Sequence, residues 1–326
     1  MKVTVLGSSG QIGAYLTEYL TKKGHTVTEF DIVKNKKQDL TIIPNENLET
    51  AIRSADFIFF LAFDVGGSRY LKKYQHTFKF IDNNTRMMAN VFHYIEKYHK
   101  RFVFASSQMS NMSYSPYGVM KRVGELYTKS LKGLIVKFWN VYGIEKDIDK
   151  AHVITDFIVR GFNSQEPDDE YPDDYQKVKM LTDGTEERQF LYAEDCCEAL
   201  ETVMENYTDF KTEDPLHITS FNSSTIKEVA AIINGCFQRI GMTVKFEPGL
   251  AKDSVQLDKR NEADMFITGW WIPKTSLDKG IQKVFDSMAP DLIEDLTETC
   301  GYSPSSATNI LRHSIKLNPK TGREKE

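Results

Sequence analysis

The first half of the chain alternates short apolar runs with segments in which apolar residues recur every three or four positions. The apolar runs are rich in β-branched and aromatic residues, which predicts strands. The predicted strands are Lys2–Leu6, Thr26–Phe30, Phe57–Ala62, Phe102–Ala105 and Leu134–Phe138. The predicted helices between and after them are Gln11–Lys23, Asn84–Tyr98 and Val119–Ser130. This alternation predicts an α/β fold with a doubly wound parallel sheet.

The second half has a mixed pattern. It predicts helices at Glu194–Glu205 and Ile226–Ile240 and a strand at Leu216–Thr219. The acidic segment Gln165–Tyr175 predicts a solvated loop rather than an acidic binding site. The polar and basic stretch that follows Tyr302 predicts a tail with a disordered end.

Composition narrows the class of protein. The balance of 40% apolar and 27% charged residues is that of a globular protein, and a net charge of −5 gives no reason to expect a nucleic-acid partner. The longest apolar run, Phe57–Phe63, is too short to span a bilayer, so we expect no membrane partner. Four cysteines without CxxC spacing predict neither disulfides nor a metal site, and they fit a cytoplasmic location.

A glycine-rich loop, GSSGQIG, joins the first predicted strand to the first predicted helix. Gly7 permits a tight turn, Gly10 lets the backbone approach a pyrophosphate, and Gly13 lets the helix pack closely on the strand. Gln11 and Ile12 complete the segment, and the helix N-terminus would face the phosphates. The loop therefore predicts dinucleotide binding.

A carboxylate supports this interpretation and indicates which dinucleotide binds. Asp31 ends the second predicted strand, eighteen positions after Gly13. It would accept hydrogen bonds from the adenosine ribose and repel a 2′-phosphate. A flexible Gly/Ser turn, the alternative interpretation of the loop, does not explain this carboxylate. We therefore predict NAD as the cofactor.

Tyr117 and Lys121 share one face of a predicted helix because they are four residues apart. A lysine there should lower the pKa of the phenol. Moving a tyrosine from ~10 to roughly 7 requires on the order of 4 kcal/mol, which the lysine and the nicotinamide would supply together. Tyr117 could then take a proton from a sugar hydroxyl that Ser107 also binds. The alternatives are a surface Tyr/Lys pair and, for Ser107, a strand-end cap.

Together these motifs resemble the extended short-chain dehydrogenase/reductase family, in its NAD-dependent sugar-nucleotide epimerase/dehydratase branch. The resemblance covers roughly residues 1–285 and also rests on FLAFDVGG, the Asn83-Asn84 pair, ASS, SPYGVMK, FWNVYG, TDGTEERQFLYAED, TSFNSSTIKEVA and GWWIPKTSLDKGI. It implies a Rossmann-like sheet with a smaller C-terminal α/β substrate domain. The implied boundaries are 1–143 and 190–215 for NAD binding, 144–189 and 216–301 for nucleotide-sugar binding, and 302–326 for a polar tail.

The resemblance also implies roles for individual residues. Leu61, Ala62 and Phe63 would lie along the cofactor, and Asn84 would pack behind the active site. The residues that would contact the nucleotide sugar are Val65, Gly66, Ser107, Asn140, His152, Arg188 and Arg260.

Three of these positions carry chemistry of their own. Arg188 would hold the diphosphate because a planar guanidinium suits bidentate contact, with Arg260 as a second candidate. His152, in KAHVITDFIVRG, matches a motif frequent among members that act on GDP-sugars, and in some of them the histidine is an acid for ring-carbon epimerisation. A simple substrate contact or a helix cap remains open for His152, and Lys150 is similarly placed.

The chain departs from the family pattern in the loop before Tyr117. The gap from Ser107 to Tyr117 is ten residues, shorter than in relatives, which should open the sugar pocket and leaves Ser110 as an alternative to Ser107. Gln108 and Met109 stand where dehydratases carry an Asp-Glu pair, and 3,5-epimerases carry a cysteine at the position of Met109. Neither side chain exchanges protons near neutral pH.

The resemblance therefore implies an epimerase that transiently oxidises a sugar carbon, with C4 expected, of a nucleoside-diphosphate sugar. The alternatives are a C4 dehydrogenase or reductase and a catalytically weak NAD-binding regulatory or scaffold protein, which the short loop favours. The resemblance also implies a homodimer through the helices Asn84–Tyr98 and Val119–Ser130, since both carry apolar residues on more than one side.

Overall fold

The computed structural model describes residues 1–166, 175–253 and 262–300. Its strands are β1 (Lys2–Leu6), β2 (Thr26–Phe30), β3 (Phe57–Phe60), β4 (Arg101–Ser107), β5 (Leu134–Phe138), β6 (Asn140–Tyr142), β7 (Lys177–Lys179), β8 (Glu187–Tyr192), β9 (Leu216–Ile218), β10 (Ser223–Thr225) and β11 (Lys245–Glu247). Its α-helices are α1 (Gln11–Lys22), α2 (Glu46–Ser54), α3 (Ser68–Tyr74), α4 (Phe78–Tyr98), α5 (Pro116–Ser130), α6 (Val153–Asn163), α7 (Ala193–Glu205), α8 (Ile226–Arg239) and α9 (Leu277–Cys300).

The main sheet has six parallel strands in the order β2-β1-β3-β4-β5-β9. The chain runs outward from β1 to β2 and then returns to place β3 on the other side of β1. This reversal defines a topological switch point between β1 and β3, as in doubly wound folds. The predicted α/β class and the parallel sheet are confirmed.

Helices cover both faces of this sheet, and each face has its own apolar core. On one face, α1 and α7 contribute Leu16, Leu20 and the free, buried Cys196 and Cys197 to a cluster with the sheet. On the other face, α2, α4 and α5 pack over a cluster rich in phenylalanine. Burial on both faces explains why the inner strands β1, β3, β4 and β5 are nearly continuous apolar runs, whereas the edge strand β2 is more polar and more exposed.

The boundaries of several elements differ from those predicted. β3 ends at Phe60, two residues early, because the N–H groups of Leu61 and Ala62 both turn to the Leu6 carbonyl, at 3.0 and 2.8 Å. Helix α4 begins at Phe78 rather than at Asn84, since the Thr77 hydroxyl caps its first turn. Sequence reasoning also missed α2, α3, α6 and α9 as helices.

The chain divides into two compact units. Among the described residues, the first comprises 1–152, 188–223 and 262–275, and the second comprises 153–166, 175–187, 224–253 and 276–300. In the second unit, α6, α8 and α9 bring together the rings of Phe162, Phe237 and Phe285. The assignment of NAD to one unit and of the nucleotide sugar to the other remains a prediction.

Two predictions fall largely or wholly outside the described residues. Most of the acidic segment Gln165–Tyr175 does so, as does the tail after Tyr302. Across the described part of the chain, no helix combines the length and apolar character that a membrane span requires.

Candidate active site

The candidate site is built at the switch point of the sheet. The glycine loop follows β1, and the segment from Leu61 to Gly66 follows β3. The carboxyl ends of these parallel strands lie side by side, with Leu6 paired to Phe60. In open α/β sheets, ligands bind in the crevice outside such ends.

Steric contacts explain each glycine of the loop. Gly7 has φ +90°, and a Cβ there would lie 2.7 Å from the backbone nitrogen of Ala62. A Cβ on Gly13 would overlap the Gly7 carbonyl oxygen, so α1 packs directly on the turn. A Cβ on Gly10 would meet only the Gly7 oxygen, at 3.4 Å. The space next to the Gly10 backbone is therefore open, as close approach of a ligand would require.

The polar groups around this turn fit an anionic ligand. The hydroxyls of Ser8 and Ser9 and the Nε2 of Gln11 are buried and have no hydrogen-bond partner among the described residues. Gly10 provides no side-chain cap for α1, and the first turn holds no acidic residue. Buried donors at an uncapped helix N-terminus match the needs of a diphosphate. Ile12 packs instead against the apolar core.

Asp31 links the glycine loop to the end of β2. Its Oδ2 accepts a hydrogen bond from the Ser9 N–H at 2.9 Å, and its Oδ1 accepts one from the Val33 N–H at 2.9 Å. Lys34, the nearby cation, is paired with Glu29 instead. The half-buried Asp31 thus presents a carboxylate beside the loop, where a 2′-phosphate would meet repulsion.

Helix α5 positions the predicted tyrosine and lysine. Ser115 caps this helix by accepting from the Gly118 N–H at 3.2 Å, and Tyr117 and Lys121 follow in the first two turns. Lys121 is buried, with 3% of its surface exposed, and its ammonium donates to the Ala105 carbonyl at 2.6 Å. The structure therefore excludes the surface Tyr/Lys pair that the sequence left open.

Phe63 completes this group of side chains. Its ring centre lies 3.7 Å from the Lys121 Nζ, which is a cation–π contact, and 5.8 Å from the Tyr117 ring. Phe63, placed along the cofactor by resemblance, thus contacts both α5 residues in this structure.

The electrostatics of the pair correct one expectation. Burial raises the pKa of Tyr117 to about 12, although a hydrogen bond with Ser107 lowers it in part. Burial also lowers the pKa of Lys121 to about 7, against the opposing charge of Glu125. In the protein alone the pKa of the phenol is thus raised rather than lowered, because desolvation is the largest contribution, and the effect of Lys121 on the phenolate stays a prediction.

The short loop after Ser107 forms a compact turn. Ser107 Oγ accepts from the Met109 N–H at 3.1 Å, and Gln108 and Met109 are both buried. A Cβ on Gly118 would overlap the Met109 carbonyl oxygen, so the turn packs closely on the start of α5. Ser107 contacts the Tyr117 phenol, which favours it over Ser110 as the hydroxyl anchor.

A clamped segment follows β3. The Asn84 side chain is fully buried and forms two hydrogen bonds with the Asp64 backbone. It accepts from the Asp64 N–H at 2.7 Å and donates to the Asp64 carbonyl at 3.2 Å. Val65 and Gly66 come next, and a Cβ on Gly66 would lie 3.0 Å from the Cα of Lys150. The residues implied to border the sugar therefore lie against the segment that carries Lys150.

That second segment contains an acid–base pair. His152 Nδ1 lies 2.7 Å from Glu145 Oε1, and the His152 N–H donates to Glu145 Oε2 at 2.8 Å. Packing lowers the pKa of His152, but the Glu145 carboxylate outweighs it, so the net shift is upward. Lys150 pairs with Asp64 at 3.5 Å. Sequence reasoning missed Glu145, which lies seven residues from His152 with no periodicity to connect them.

The remaining implied substrate residues lie on neighbouring strands. Asn140 begins β6 and pairs in register with Phe190 of β8, two positions beyond Arg188. The Asn140 amide donates to the Gln189 carbonyl at 3.3 Å. Asn140 and Arg188 are thus brought to one region, whereas Arg260 lies outside the described residues.

The chain belongs to the NAD dependent epimerase/dehydratase family, whose model matches residues 3–218. The predicted family and its NAD dependence are thereby confirmed. The match begins at the second residue of β1 and ends with β9, so it includes all six strands of the main sheet. Assignment of individual site residues remains a prediction.

Known proteins resemble the chain over most of its length. It is 25% identical over 268 residues to a UDP-N-acetyl-alpha-D-glucosaminuronate decarboxylase from Bacillus cytotoxicus, covering 71% of this chain and 78% of that protein. An epimerase structure from Methanothermobacter thermautotrophicus superposes with a TM-score of 0.74 at 20% identity, covering 91% and 94% of the two chains. A UDP-glucose 4-epimerase from Thermus thermophilus in complex with NAD gives 0.68 at 18% identity, covering 89% and 99%. These structures establish the shared fold.

Proposed function

We propose that this protein is an NAD-dependent epimerase of a nucleoside-diphosphate sugar that acts by transient oxidation of a sugar carbon, C4. The observation that carries the proposal is the group formed by the half-buried Tyr117 and the buried Ser107 and Lys121, in which the phenol contacts Ser107 and the lysine donates to the Ala105 carbonyl. Relatives named as sugar-nucleotide decarboxylases and epimerases support the substrate class.

In the proposed reaction, Ser107 orients the sugar hydroxyl and the Tyr117 phenolate accepts its proton as the carbon–hydrogen bond breaks. NAD, when bound, accepts the hydride and can return it. Lys121 supplies positive charge that favours the phenolate. Tyr117 then gives the proton back when the carbonyl is reduced. If the hydride returned to the opposite face of the sugar, the product would be the epimer. If the oxidised sugar left the site before the hydride returned, the product would be a keto sugar.

The turn after Ser107 argues against elimination of water. Dehydration needs one group to protonate the leaving hydroxyl and another to remove a carbon-bound proton. Gln108 and Met109 occupy the positions implied for these groups, and neither exchanges protons near neutral pH. His152 and Glu145 contact each other and so form a single acid–base pair, whereas dehydration needs two separate groups. C4 chemistry without dehydration is therefore the proposed outcome.

The assembly and location proposals are separate. We propose a homodimer through α4 and α5, which expose apolar side chains on their outer faces. The exposed fractions are 82% for Phe78, 39% for Ile81, 42% for Val119 and 57% for Leu126. Sedimentation at micromolar concentration tests the dimer. A cytoplasmic location remains a prediction from the cysteine pattern.

A thermal-shift screen of UDP-, GDP-, dTDP- and CDP-sugars identifies the substrate class, since a ligand stabilises the fold that binds it. The stabilising sugar nucleotide is then incubated with the enzyme in deuterated water. C4 epimerisation predicts an epimer with no deuterium at C5 and no loss of water by mass. Deuterium at C5, or a product lighter by one water, would contradict the proposal.

Tyr117→Phe separates an enzyme from the alternative of a catalytically weak NAD-binding protein. The variant should lose most turnover and keep NAD binding, because only the hydroxyl is removed. Turnover close to that of the wild type would exclude Tyr117 as the base. Accumulation of NADH and keto sugar in the wild type would instead favour a C4 dehydrogenase or reductase.

A further inference from the structure

Helix α5 makes a series of contacts with the end of strand β4. Tyr117, Lys121 and Glu125 follow one another at four-residue spacing and therefore share one face of the helix. Tyr117 hydrogen-bonds Ser107, and Lys121 donates to the Ala105 carbonyl. Glu125 extends this series by one helical turn, yet no step of the proposed reaction uses it.

Glu125 is fully buried and satisfied from several sides. Its Oε1 accepts a hydrogen bond from the Ser106 hydroxyl at 2.6 Å and lies 3.3 Å from the Lys137 Nζ. Its Oε2 accepts from the Arg122 guanidinium at 2.8 Å. Burial raises the pKa of Glu125, but the hydroxyls of Ser106 and Ser110 and the two cations outweigh it, so the net pKa is lowered. The carboxylate is therefore ionised at neutral pH.

The partners of Glu125 come from each element that surrounds it. Ser106 belongs to β4 and pairs in register with Lys137 of β5. Burial lowers the pKa of Lys137, while Glu125 opposes this shift. His217 of β9 is in register with Lys137, and burial together with that cation lowers its pKa to about 4, so His217 is neutral at pH 7. Lys129 also adds positive charge.

We propose that Glu125 is a positioning residue of the active site, which fixes helix α5 against strand β4 and sets the charge environment of Lys121. The inference rests on the proposed roles of Tyr117 and Lys121. Through Ser106, the carboxylate holds the strand position that lies between Ala105 and Ser107, the two positions that Lys121 and Tyr117 contact. Its charge also raises the pKa of Lys121 against the larger lowering by burial.

A single substitution is not a clean test. Glu125→Gln leaves Lys137 buried without its counter-charge, and an unpaired buried charge destabilises a fold strongly. The double variant Glu125→Gln/Lys137→Met removes both charges, and the glutamine oxygen can still accept from Ser106. Glu49→Gln is a control for the loss of a paired carboxylate elsewhere, because Glu49 pairs with Lys97 at 2.6 Å on the helices α2 and α4, where both side chains are partly exposed.

The experiment follows the titration of Lys121 in cofactor-free protein that carries 13C-labelled lysine. The Cε resonance of Lys121 is identified by its loss in Lys121→Met. In the double variant its midpoint should fall by about one pH unit, because losing Glu125 removes the charge that raises the pKa of Lys121, while losing the Lys137 cation offsets part of that change. The Glu49→Gln variant should keep the wild-type midpoint.

Calorimetry of NAD binding provides a second readout. If the protonated amine binds the cofactor, a midpoint lowered by one unit weakens binding about tenfold at pH 8 and only about twofold at pH 6. An unchanged Lys121 midpoint, with affinity lowered equally at every pH and a lower Tm, would show a purely structural role and overturn the proposal. A wild-type enzyme that turns over no sugar nucleotide would refute the proposed function, whereas the lysine titration would still decide the role of Glu125.

Discussion

Replacing Lys121 by methionine tests how a buried phenol becomes a base. The Lys121 Nζ lies 5.8 Å from the centre of the Tyr117 ring. With the phenolate charge placed at the ring centre, two unit charges at that separation interact by about 3 kcal/mol at an effective dielectric constant of ~20, which equals about two pKa units. Burial holds the pKa of the phenol at about 12. Reaching roughly 7 would require about 7 kcal/mol, so the lysine supplies less than half and the bound cofactor must supply the rest.

The assay is the pH dependence of NAD reduction in a single turnover with the sugar nucleotide that the thermal-shift screen identifies. The rate should rise with pH until Tyr117 is ionised in the complex. The rising part of this pH–rate profile is its acidic limb. Removing the cation disfavours the phenolate, so Lys121→Met should shift the midpoint of the acidic limb to a pH about two units higher. Below the limb the variant should be about a hundredfold slower at equal pH.

Lys129→Met serves as the control because Lys129 lies on the same helix, two turns beyond Lys121, and donates to the Glu213 carbonyl. Its acidic limb should match that of the wild type. A shift below roughly 0.5 unit in Lys121→Met would mean that this charge does not tune the phenol, which would refute the electrostatic reasoning.

Three further predictions test the fold and the cofactor site. Asp31→Ser should narrow the preference for NAD over NADP measured by calorimetry, since the repelling carboxylate is gone; a wild-type preference for NADP would contradict the role of Asp31. Gly13→Ala should lower the free energy of unfolding measured in urea by ~3 kcal/mol or more, because the new Cβ overlaps a backbone oxygen. Gly10→Ala should change the free energy of unfolding by no more than about 1 kcal/mol but should weaken NAD binding. The pKa of Lys121 is about 7 in the folded protein, well below the ordinary lysine value of about 10.4, so the unfolded chain binds more protons between these values. Stability should therefore gain about 2 kcal/mol from this group between pH 7 and pH 9, and Lys121→Met should remove that gain; equal pH slopes in the two proteins would contradict it.

Much of the fold could be predicted because its signals are local. The strands β1, β2 and β5 match their predicted bounds. β1 and β5 are short, largely apolar runs, whereas β2 mixes polar residues with Val27 and ends in the buried Phe30. Helix α2 was missed because its polar sequence buries only Leu48, Ala51 and Ile52. Helix α9 has Pro290 in its interior, which sequence reasoning takes as a helix terminator.

The candidate site was predicted in part for the same reason. Tyr117 and Lys121 are found from spacing alone, and Glu125 continues that spacing, so its position on the helix face was available from the sequence. The burial of Glu125 could not be predicted from the sequence, because Ser106 and Lys137 contact it from two strands that only the folded sheet brings together. Glu145 and His152 meet through an irregular segment, for which no periodic rule exists.

The sequence by itself determined the parallel sheet, the glycine turn and the carboxylate at Asp31, because these depend on residues close together along the chain. Only the tertiary structure decided the direction in which the pKa values of Tyr117 and Lys121 shift. The Lys121 ammonium faces the Ala105 carbonyl and the Phe63 ring, and burial among them lowers its pKa while burial raises that of Tyr117. Desolvation depends on every atom that excludes water from a group, and those atoms come from segments distant in the sequence.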